Sequence, residues 1–313
     1  MSTKVFDGRS FARQKEEKLI LQVHAIAKTL KRKPKLIAVG ISDEKDVAMY
    51  ISMKEKAAER IGVDVERKIF REDSDLNEAC DFVKSKDQDK SIDGIILELP
   101  VPKKFPVTKI MENISPAKDP DCMTYENLGR VLYGKSQLLP ATVRAIRDII
   151  ISFAGPASAR LARGSFDPPI GGQKTRTRLA LSPAKPLAYK NAVVIGGGVE
   201  VGKPLAMLLS DLGAAVALCR STTKDLSEFT KNADIIICAV GKPNLVTGEI
   251  VKEGVIIIDA GINLVNGKTA GDVEFESVKK KASFITPVPG GVGPVTIVSL
   301  FENLLDLCYT QKS

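Results

Sequence analysis

Short apolar runs alternate along the chain with stretches whose apolar residues recur at helical spacing. The runs 35–40, 94–99 and 192–195 are bounded by glycine or proline and predict buried strands. Residues 46–61 have an amphipathic helical period and are followed by Gly62, which predicts a helix with a glycine stop. The same signals predict further strands at 215–219, 235–240 and 255–259, and further helices at 142–153, 204–212 and 296–308.

This alternation predicts an α/β protein in which helices cover both faces of mostly parallel sheets. The chain has 313 residues, and because a domain usually holds roughly 100–200 residues, we expect two domains. Residues 154–188 interrupt the pattern. They are rich in Gly, Pro, Ser and Arg, and they predict an inserted loop. Their six basic residues against Asp167 alone supply +5 of the formal +8 charge of the chain.

The composition limits the class of protein and the residues that can act in acid–base catalysis. Apolar residues make up 44% and charged residues 27%, as in ordinary globular proteins, and no uninterrupted apolar run reaches the ~20 residues of a membrane span. No signal peptide is visible, and the five cysteines are scattered without a CxxC pair, which predicts reduced thiols and a cytoplasmic location. His24 is the only histidine, so we expect no metal site. Acid–base chemistry then falls to Lys, Tyr, Asp or Glu.

A glycine-rich loop follows the predicted strand 192–195. Gly196–Gly198 precede a predicted helix and Gly202 lies near its start, where free backbone amides can hold a pyrophosphate. The loop departs from G-x-G-x-x-G, so a tight turn without a nucleotide is the alternative. The next strand ends at Arg220, where NAD-binding folds place an acid. An arginine there pairs with a 2′-phosphate, which favours NADP, with NAD still possible; a solvated arginine is the alternative.

Side chains that can carry chemistry occur in the first half. Tyr50 and Lys54 are four residues apart and share a helix face, and Glu98 lies at the end of the predicted strand 94–99. The alternatives are a structural role for the tyrosine–lysine pair and a carboxylate turned to solvent for Glu98. The stretch 286–296 holds three prolines and three glycines directly before a helix. It predicts a rigid backbone that a ligand can approach closely.

Seven motifs, in order, resemble those of the methylenetetrahydrofolate dehydrogenase/methenyltetrahydrofolate cyclohydrolase family. Tyr50–Lys54 is similar to its Y-x-x-x-K, residues 93–102 (DGIILELPVP) to its D-G-I-L-V-Q-L-P-L-P, and residues 286–296 (TPVPGGVGPVT) to its T-P-V-P-G-G-V-G-P-M-T. The other four are KDPD at 118–121, PAT at 140–142, VGKP at 201–204 and GDV at 271–273. The likeness covers most of the chain outside 154–188.

The resemblance implies two domains with a folate cleft between them. Residues 1–150, joined by a returning C-terminal helix at 296–313, would form the catalytic folate-binding domain, and residues 189–295 a Rossmann-like, doubly wound NAD(P)-binding domain. The implied chemistry is NADP-dependent oxidation of 5,10-methylenetetrahydrofolate to 5,10-methenyltetrahydrofolate and its hydrolysis to 10-formyltetrahydrofolate. Family members are commonly homodimers.

The resemblance also implies the site residues. Lys54 would be the catalytic lysine, with Tyr50 packing on the folate, Glu98 beside them and Asp121 hydrogen-bonding the pterin ring. Further folate-binding positions are Leu97, Leu99, Gly290, Gly291, Val292, Gly293 and Pro294. Cofactor-binding positions are Thr142, Gly196, Gly197, Gly198, Gly202, Arg220, Ser221, Gly241, Ile262 and Thr296.

Two departures from the family pattern carry predictions. Glu98 stands where the family has Gln, and a carboxylate near Lys54 favours its protonated ammonium. We therefore predict that hydrolysis is weakened more than hydride transfer. Gly197 and Gly198 replace the family's Arg and Ser, and we expect Arg220, where a His is usual, to restore part of the lost phosphate contacts.

Three alternatives stay open at this point. The first is a family member with only one of the two activities, and the second is a non-catalytic folate- or nucleotide-binding homologue. The third is a basic nucleic-acid binder that uses residues 154–188. We rank it lowest because interleaved aromatic residues and a recognisable binding module are lacking, so we expect neither a nucleic-acid nor a membrane partner.

Overall fold

The computed structural model describes residues 3–42, 45–136, 138–154, 185–265 and 267–310. The predicted inserted loop at 154–188 lies almost entirely outside these ranges. The chain divides into two compact units. One combines Gly8–Ala141 with Pro294–Ser313 and is called the 8–141 unit below; the other combines Met1–Asp7 with Thr142–Gly293 and is called the 142–293 unit.

Strands and helices alternate through both units. The strands are β1 Lys4–Val5, β2 Lys35–Ile41, β3 Asp64–Phe70, β4 Gly94–Leu97, β5 Asn191–Ile195, β6 Ala215–Cys219, β7 Ile235–Cys238, β8 Ile256–Asp259, β9 Asn263–Val265, β10 Lys268–Ala270 and β11 Phe284–Ile285. The helices are α1 Gly8–Leu30, α2 Lys45–Ile61, α3 Leu76–Gln88, α4 Val107–Met111, α5 Tyr125–Leu132, α6 Ala141–Ala154, α7 Gly202–Asp211, α8 Ser227–Thr230, α9 Phe275–Lys279 and α10 Val292–Thr310.

The 8–141 unit is built on a parallel sheet with the strand order β3-β2-β4. The central strand β2 is almost wholly buried, as expected for a parallel strand covered on both faces. Helix α10 supplies Phe301 and Leu304 to the same core as Leu36 and Ile51. A Cβ at Gly94 would come 2.6 Å from Leu304 Cδ1, so this packing requires a glycine in β4.

The 142–293 unit is built on a six-stranded parallel sheet with the order β1-β11-β8-β7-β5-β6. The chain runs from β5 to β6 on one side and then to β7 on the other side. The strand order therefore reverses at β5, and the carboxyl ends of β5 and β7 are where such folds bind ligands. Strand β1 pairs with β11, and the Phe6 ring packs on Phe284 with centroids 5.7 Å apart.

The α/β class and its parallel sheets confirm the sequence prediction, but several element ends differ. The strand predicted at 94–99 ends at Leu97, so Glu98 and Leu99 follow the strand at its carboxyl end. The strand predicted at 235–240 ends at Cys238. The C-terminal helix begins at Val292, four residues earlier than its period predicts.

Helix α10 is the one helix, among the residues described, that is long and apolar enough to cross a membrane. Most of its length is buried inside the protein. Its apolar composition therefore matches what a core helix requires, since Phe301, Leu304 and Leu305 pack within the main core of the 8–141 unit.

Candidate active site

A buried ion pair lies at the carboxyl end of the β3-β2-β4 sheet. Lys54 on α2 donates from Nζ to Oε2 of Glu98 in a close contact, and their side chains are only 14% and 9% exposed. The Glu98 amide donates to the carbonyl of Val39 at 2.7 Å, which fixes the backbone where β4 ends. A buried charge needs such a partner, so the two side chains hold each other in place.

The remaining folate-binding candidates of the 8–141 unit lie on neighbouring elements. Tyr50 is one helical turn before Lys54 on α2 and is half-buried. Leu97, Leu99 and Asp121 line a common cavity of about 10 Å³, which is the space of a single water molecule. The structure thus brings these three together, although the sequence separates Asp121 from the other two.

The two acids of the KDPD motif have different roles. Asp119 is fully buried, and its carboxylate accepts from the amides of Met123 (3.0 Å) and Thr124 (2.8 Å) and from the Asn127 side chain (2.9 Å). It therefore holds its own loop. Both acids line the cavity, but Asp121 is half-buried rather than fully buried, which makes it the more accessible acid of this motif.

The stretch 286–296 has a tightly folded backbone. Gly290 has φ +102°, in the region that favours glycine. A Cβ at Gly291 would come 2.4 Å from the Pro287 carbonyl oxygen, so that position also requires glycine. The other candidates of this stretch, Val292, Gly293, Pro294 and Thr296, belong to the first turns of α10.

The glycine loop after β5 depends on two of its glycines. Gly196 has φ +118°, and a Cβ there would come 2.3 Å from the Ala239 carbonyl oxygen. A Cβ at Gly202, the first residue of α7, would come 1.7 Å from the Gly196 carbonyl oxygen. Both positions therefore exclude any side chain. Gly198 is exposed, with open space around it.

Arg220 lies beside this loop. It follows β6 in a turn in which its amide donates to Thr223 Oγ1 at 3.0 Å, and its Nε is 3.5 Å from where a Cβ at Gly197 would be. Arg220 and Ser221 are both exposed. A guanidinium beside the amino end of a helix fits a phosphate-bearing cofactor, since both present positive charge.

The other cofactor-binding candidates lie elsewhere in the 142–293 unit. Gly241 follows β7, is exposed and has φ +74°. Ile262 is 49% exposed between β8 and β9. Thr142 is half-buried in the first turn of α6.

Two buried acids, Asp259 and Asp272, are missing from the residues that the sequence proposes. Asp272 is fully buried and its carboxylate accepts four hydrogen bonds. Burial raises the pKa of Asp259 to about 6, although its carboxylate accepts backbone hydrogen bonds that act in the opposite direction. The sequence offers one signal for these acids, the glycines at 261 and 271. Gly261 leaves room for the Asp272 carboxylate, and Gly271 leaves room for that of Asp259.

Comparisons with known proteins agree over the whole chain. The family model described as "Tetrahydrofolate dehydrogenase/cyclohydrolase, catalytic domain" matches residues 6–121, and that described as "Tetrahydrofolate dehydrogenase/cyclohydrolase, NAD(P)-binding domain" matches residues 177–312. The bifunctional protein FolD of Caldanaerobacter subterraneus subsp. tengcongensis is 37% identical over 314 residues, which cover 100% of both chains.

Solved structures give the same result. The bifunctional FolD methylenetetrahydrofolate dehydrogenase/cyclohydrolase of Campylobacter jejuni superposes with a TM-score of 0.84 at 32% identity, covering 99% of this chain and 100% of that one. The N5,N10-methylenetetrahydrofolate dehydrogenase-cyclohydrolase of Trypanosoma brucei, solved in complex with NADP cofactor and inhibitor, superposes with a TM-score of 0.86 at 27% identity, covering 100% and 99%. The chain belongs to the tetrahydrofolate dehydrogenase/cyclohydrolase family.

Proposed function

We propose that this protein oxidises 5,10-methylenetetrahydrofolate with NADP and hydrolyses the resulting methenyl compound to 10-formyltetrahydrofolate. Its relatives over the full chain length are bifunctional FolD proteins, and the Trypanosoma brucei structure contains NADP. In this chain the proposal is carried by one observation. Lys54 is held nearly buried at the carboxyl end of a parallel sheet by Glu98, one helical turn after Tyr50.

The hydride step depends on positioning, because the donor carbon must be held against the acceptor. NADP, when bound, supplies the acceptor. Within the 142–293 unit, Gly196 and Gly202 keep the glycine loop free of side chains. The positive amino end of the α7 dipole and the guanidinium of Arg220 provide the positive charge that the phosphates need. In this role Arg220 takes the place of the arginine that the family carries at Gly197.

The hydrolytic step needs a group that moves protons. Water adds to the methenyl carbon and the bond from that carbon to N5 breaks. One proton of the water passes to N5 and the other is released. Lys54 is the candidate for that transfer, since its amine is nearly buried and fixed in direction. The same amine donates to the Glu98 carboxylate, and we propose that this contact competes with the proton transfer.

We further propose that the 8–141 unit binds the folate and that the 142–293 unit binds the cofactor. The descriptions and ranges of the two family models support this division, except that the NAD(P)-binding model continues through α10, which packs in the 8–141 unit. We also propose a cytoplasmic homodimer that binds neither nucleic acid nor a membrane. All five cysteines are free thiols, which fits a reducing compartment. Cell fractionation and light scattering of the purified protein test the location and the dimer.

The decisive experiment mixes the purified protein with 5,10-methylenetetrahydrofolate and either NADP or NAD. We expect the absorbance of the methenyl product to rise faster with NADP and then to decay as hydrolysis proceeds. A rise without decay identifies a dehydrogenase alone. Tight binding of NADP without any absorbance change identifies a non-catalytic homologue and contradicts the proposal.

A further inference from the structure

The carboxylate of Asp272 is fully buried and gathers three consecutive backbone amides. Its Oδ2 accepts from the amides of Val240 (2.7 Å) and Gly241 (3.2 Å). Its Oδ1 accepts from the amide of Lys242 (2.8 Å) and from the side-chain amide of Asn263 (2.9 Å). One charged side chain thus determines the position of the segment 240–242, called the β7 loop below.

The surroundings of Asp272 leave it no other position. A Cβ at Gly261 would come 2.1 Å from the carboxylate carbon of Asp272. Its own amide donates to Asp259 Oδ1 at 3.1 Å, and the next amide, of Val273, donates to Asp259 Oδ2 at 2.9 Å. A Cβ at Gly271 would come 2.0 Å from Asp259 Oδ2. The two acids and the two glycines therefore form one close-packed group.

The β7 loop borders the glycine loop directly. The position of a Cβ at Gly196 is 2.3 Å from the carbonyl oxygen of Ala239 and 3.5 Å from Cγ2 of Val240. The loop also follows the carboxyl end of β7, next to the point where the strand order reverses. A shift of the β7 loop would therefore move one wall of the proposed cofactor site.

We infer that Asp272 is a positioning residue for NADP, an inference that rests on the proposed function. Its carboxylate holds the β7 loop against the glycine loop and so sets the affinity for the cofactor from inside the protein. Hydrogen bonds to a charged acceptor are among the stronger ones in proteins. An Asn side chain has the same shape, but its NH2 group would face backbone N–H groups that need an acceptor.

The test measures NADP binding to Asp272→Asn by calorimetric titration, together with hydrolysis of methenyltetrahydrofolate in the absence of NADP. We expect the Kd for NADP to rise about tenfold or more, from the loss of charge-assisted hydrogen bonds. We expect hydrolysis, which relies on Lys54 in the other unit, to stay within about twofold of wild type. Binding is read independently of turnover, so an inactive wild type would contradict the proposed function and leave this comparison valid.

Asp234→Asn is the matched control. Its carboxylate also accepts a backbone amide, that of Asn191 at 2.8 Å, but at the amino ends of β5 and β7. We expect it to lower the melting temperature without weakening NADP binding. If Asp272→Asn does not fold, Asn263→Ala removes one donor from the same carboxylate, and we expect about a threefold weaker NADP affinity. An unchanged Kd in either folded variant, or a parallel loss of hydrolysis in Asp272→Asn, overturns the inference.

Discussion

The two units build their sites by opposite means. In the 8–141 unit the chemistry lies in side chains, because Lys54 and Glu98 face each other at the end of a sheet. In the 142–293 unit the site is mostly backbone. Glycines shape it, and its most buried acid, Asp272, binds the protein's own amides. A substitution in the first site changes reactivity directly, whereas a substitution in the second changes the shape of the backbone first.

The largest effect is expected on the rate of hydrolysis when Lys54 in the 8–141 unit is replaced. Lys54→Met keeps the length of the side chain but removes the proton carrier, and we expect hydrolysis to fall by about 10²–10⁴-fold. The affinity for NADP should not change. Decay of the methenyl absorbance and a titration with NADP measure the two quantities.

A second variant separates chemistry from stability at this position. Lys54→Met leaves Glu98 as a buried carboxylate without its cation, which is costly. The double variant Lys54→Met/Glu98→Gln removes that charge, and we expect it to regain thermal stability without regaining hydrolysis. Recovery of hydrolysis in the double variant would show that Lys54 has only a structural role.

The next largest effect is the contribution of Asp259, in the 142–293 unit, to the free energy of unfolding. The pKa of Asp259 rises from 3.8 to about 6 on folding, which corresponds to about 3 kcal/mol. Between these values the folded carboxyl keeps a proton that the unfolded chain has released, so this group's contribution to stability falls as pH rises from about 4 to 6. The neighbouring titratable groups are the Asp272 carboxyl and the Cys238 thiol.

Denaturant unfolding of the wild type and of Asp259→Asn at several pH values measures this effect. The difference between their unfolding free energies isolates Asp259, because every other group titrates in both proteins. We expect the wild type to lose stability relative to the variant as pH rises from about 4 to 7. A pH-independent difference would contradict the raised pKa.

A smaller effect is expected for Arg220, whose side chain we assign to the proposed cofactor site of the 142–293 unit. Arg220→Ala should raise the KM for NADP about tenfold and that for NAD much less, because only NADP carries the 2′-phosphate. Arg71→Ala is the control, since Arg71 pairs with Asp73 on an exposed surface of the other unit. An equal rise of both KM values would refute the assignment of Arg220.

The smallest effect is expected from Glu98→Gln, which restores the family's residue. We expect the ratio of hydrolysis to hydride transfer to rise several-fold, because the amine of Lys54 is then no longer bound to a carboxylate. Both rates come from one absorbance trace. A ratio equal to that of the wild type would show that Glu98 does not restrain the lysine.

The sequence predicts a strand or helix correctly where the residues of that element alone show its characteristic pattern. The buried strands β2 and β5 are short apolar runs, and α2 has a clear helical period, so each is found in its predicted place. No local pattern predicts β3, because this edge strand has charged, partly exposed residues and is held by backbone pairing with β2. Strand β1 is only two residues long and pairs with residues 284–285, which no local pattern indicates.

The candidate sites follow the same rule. The motif around Lys54 and the glycine loop can be found in the sequence because each lies within a few consecutive residues. Asp272 lies in the GDV motif at 271–273, but its role could not be predicted, since the backbone amides that donate to its carboxylate lie about thirty residues earlier in the chain. The cavity beside Asp121 also depends on residues distant in sequence.

The interleaved course of the chain has a consequence for its synthesis on the ribosome. The 142–293 unit includes strand β1, whose partner β11 is translated about 280 residues later. The 8–141 unit takes Phe301, Leu304 and Leu305 of α10 into its core. The 142–293 unit therefore cannot complete its sheet until β11 has left the ribosomal tunnel, and the 8–141 unit cannot complete its core until α10 has left it. Such long-range closure is slow, and we expect the nascent chain to expose apolar surface to chaperones until then.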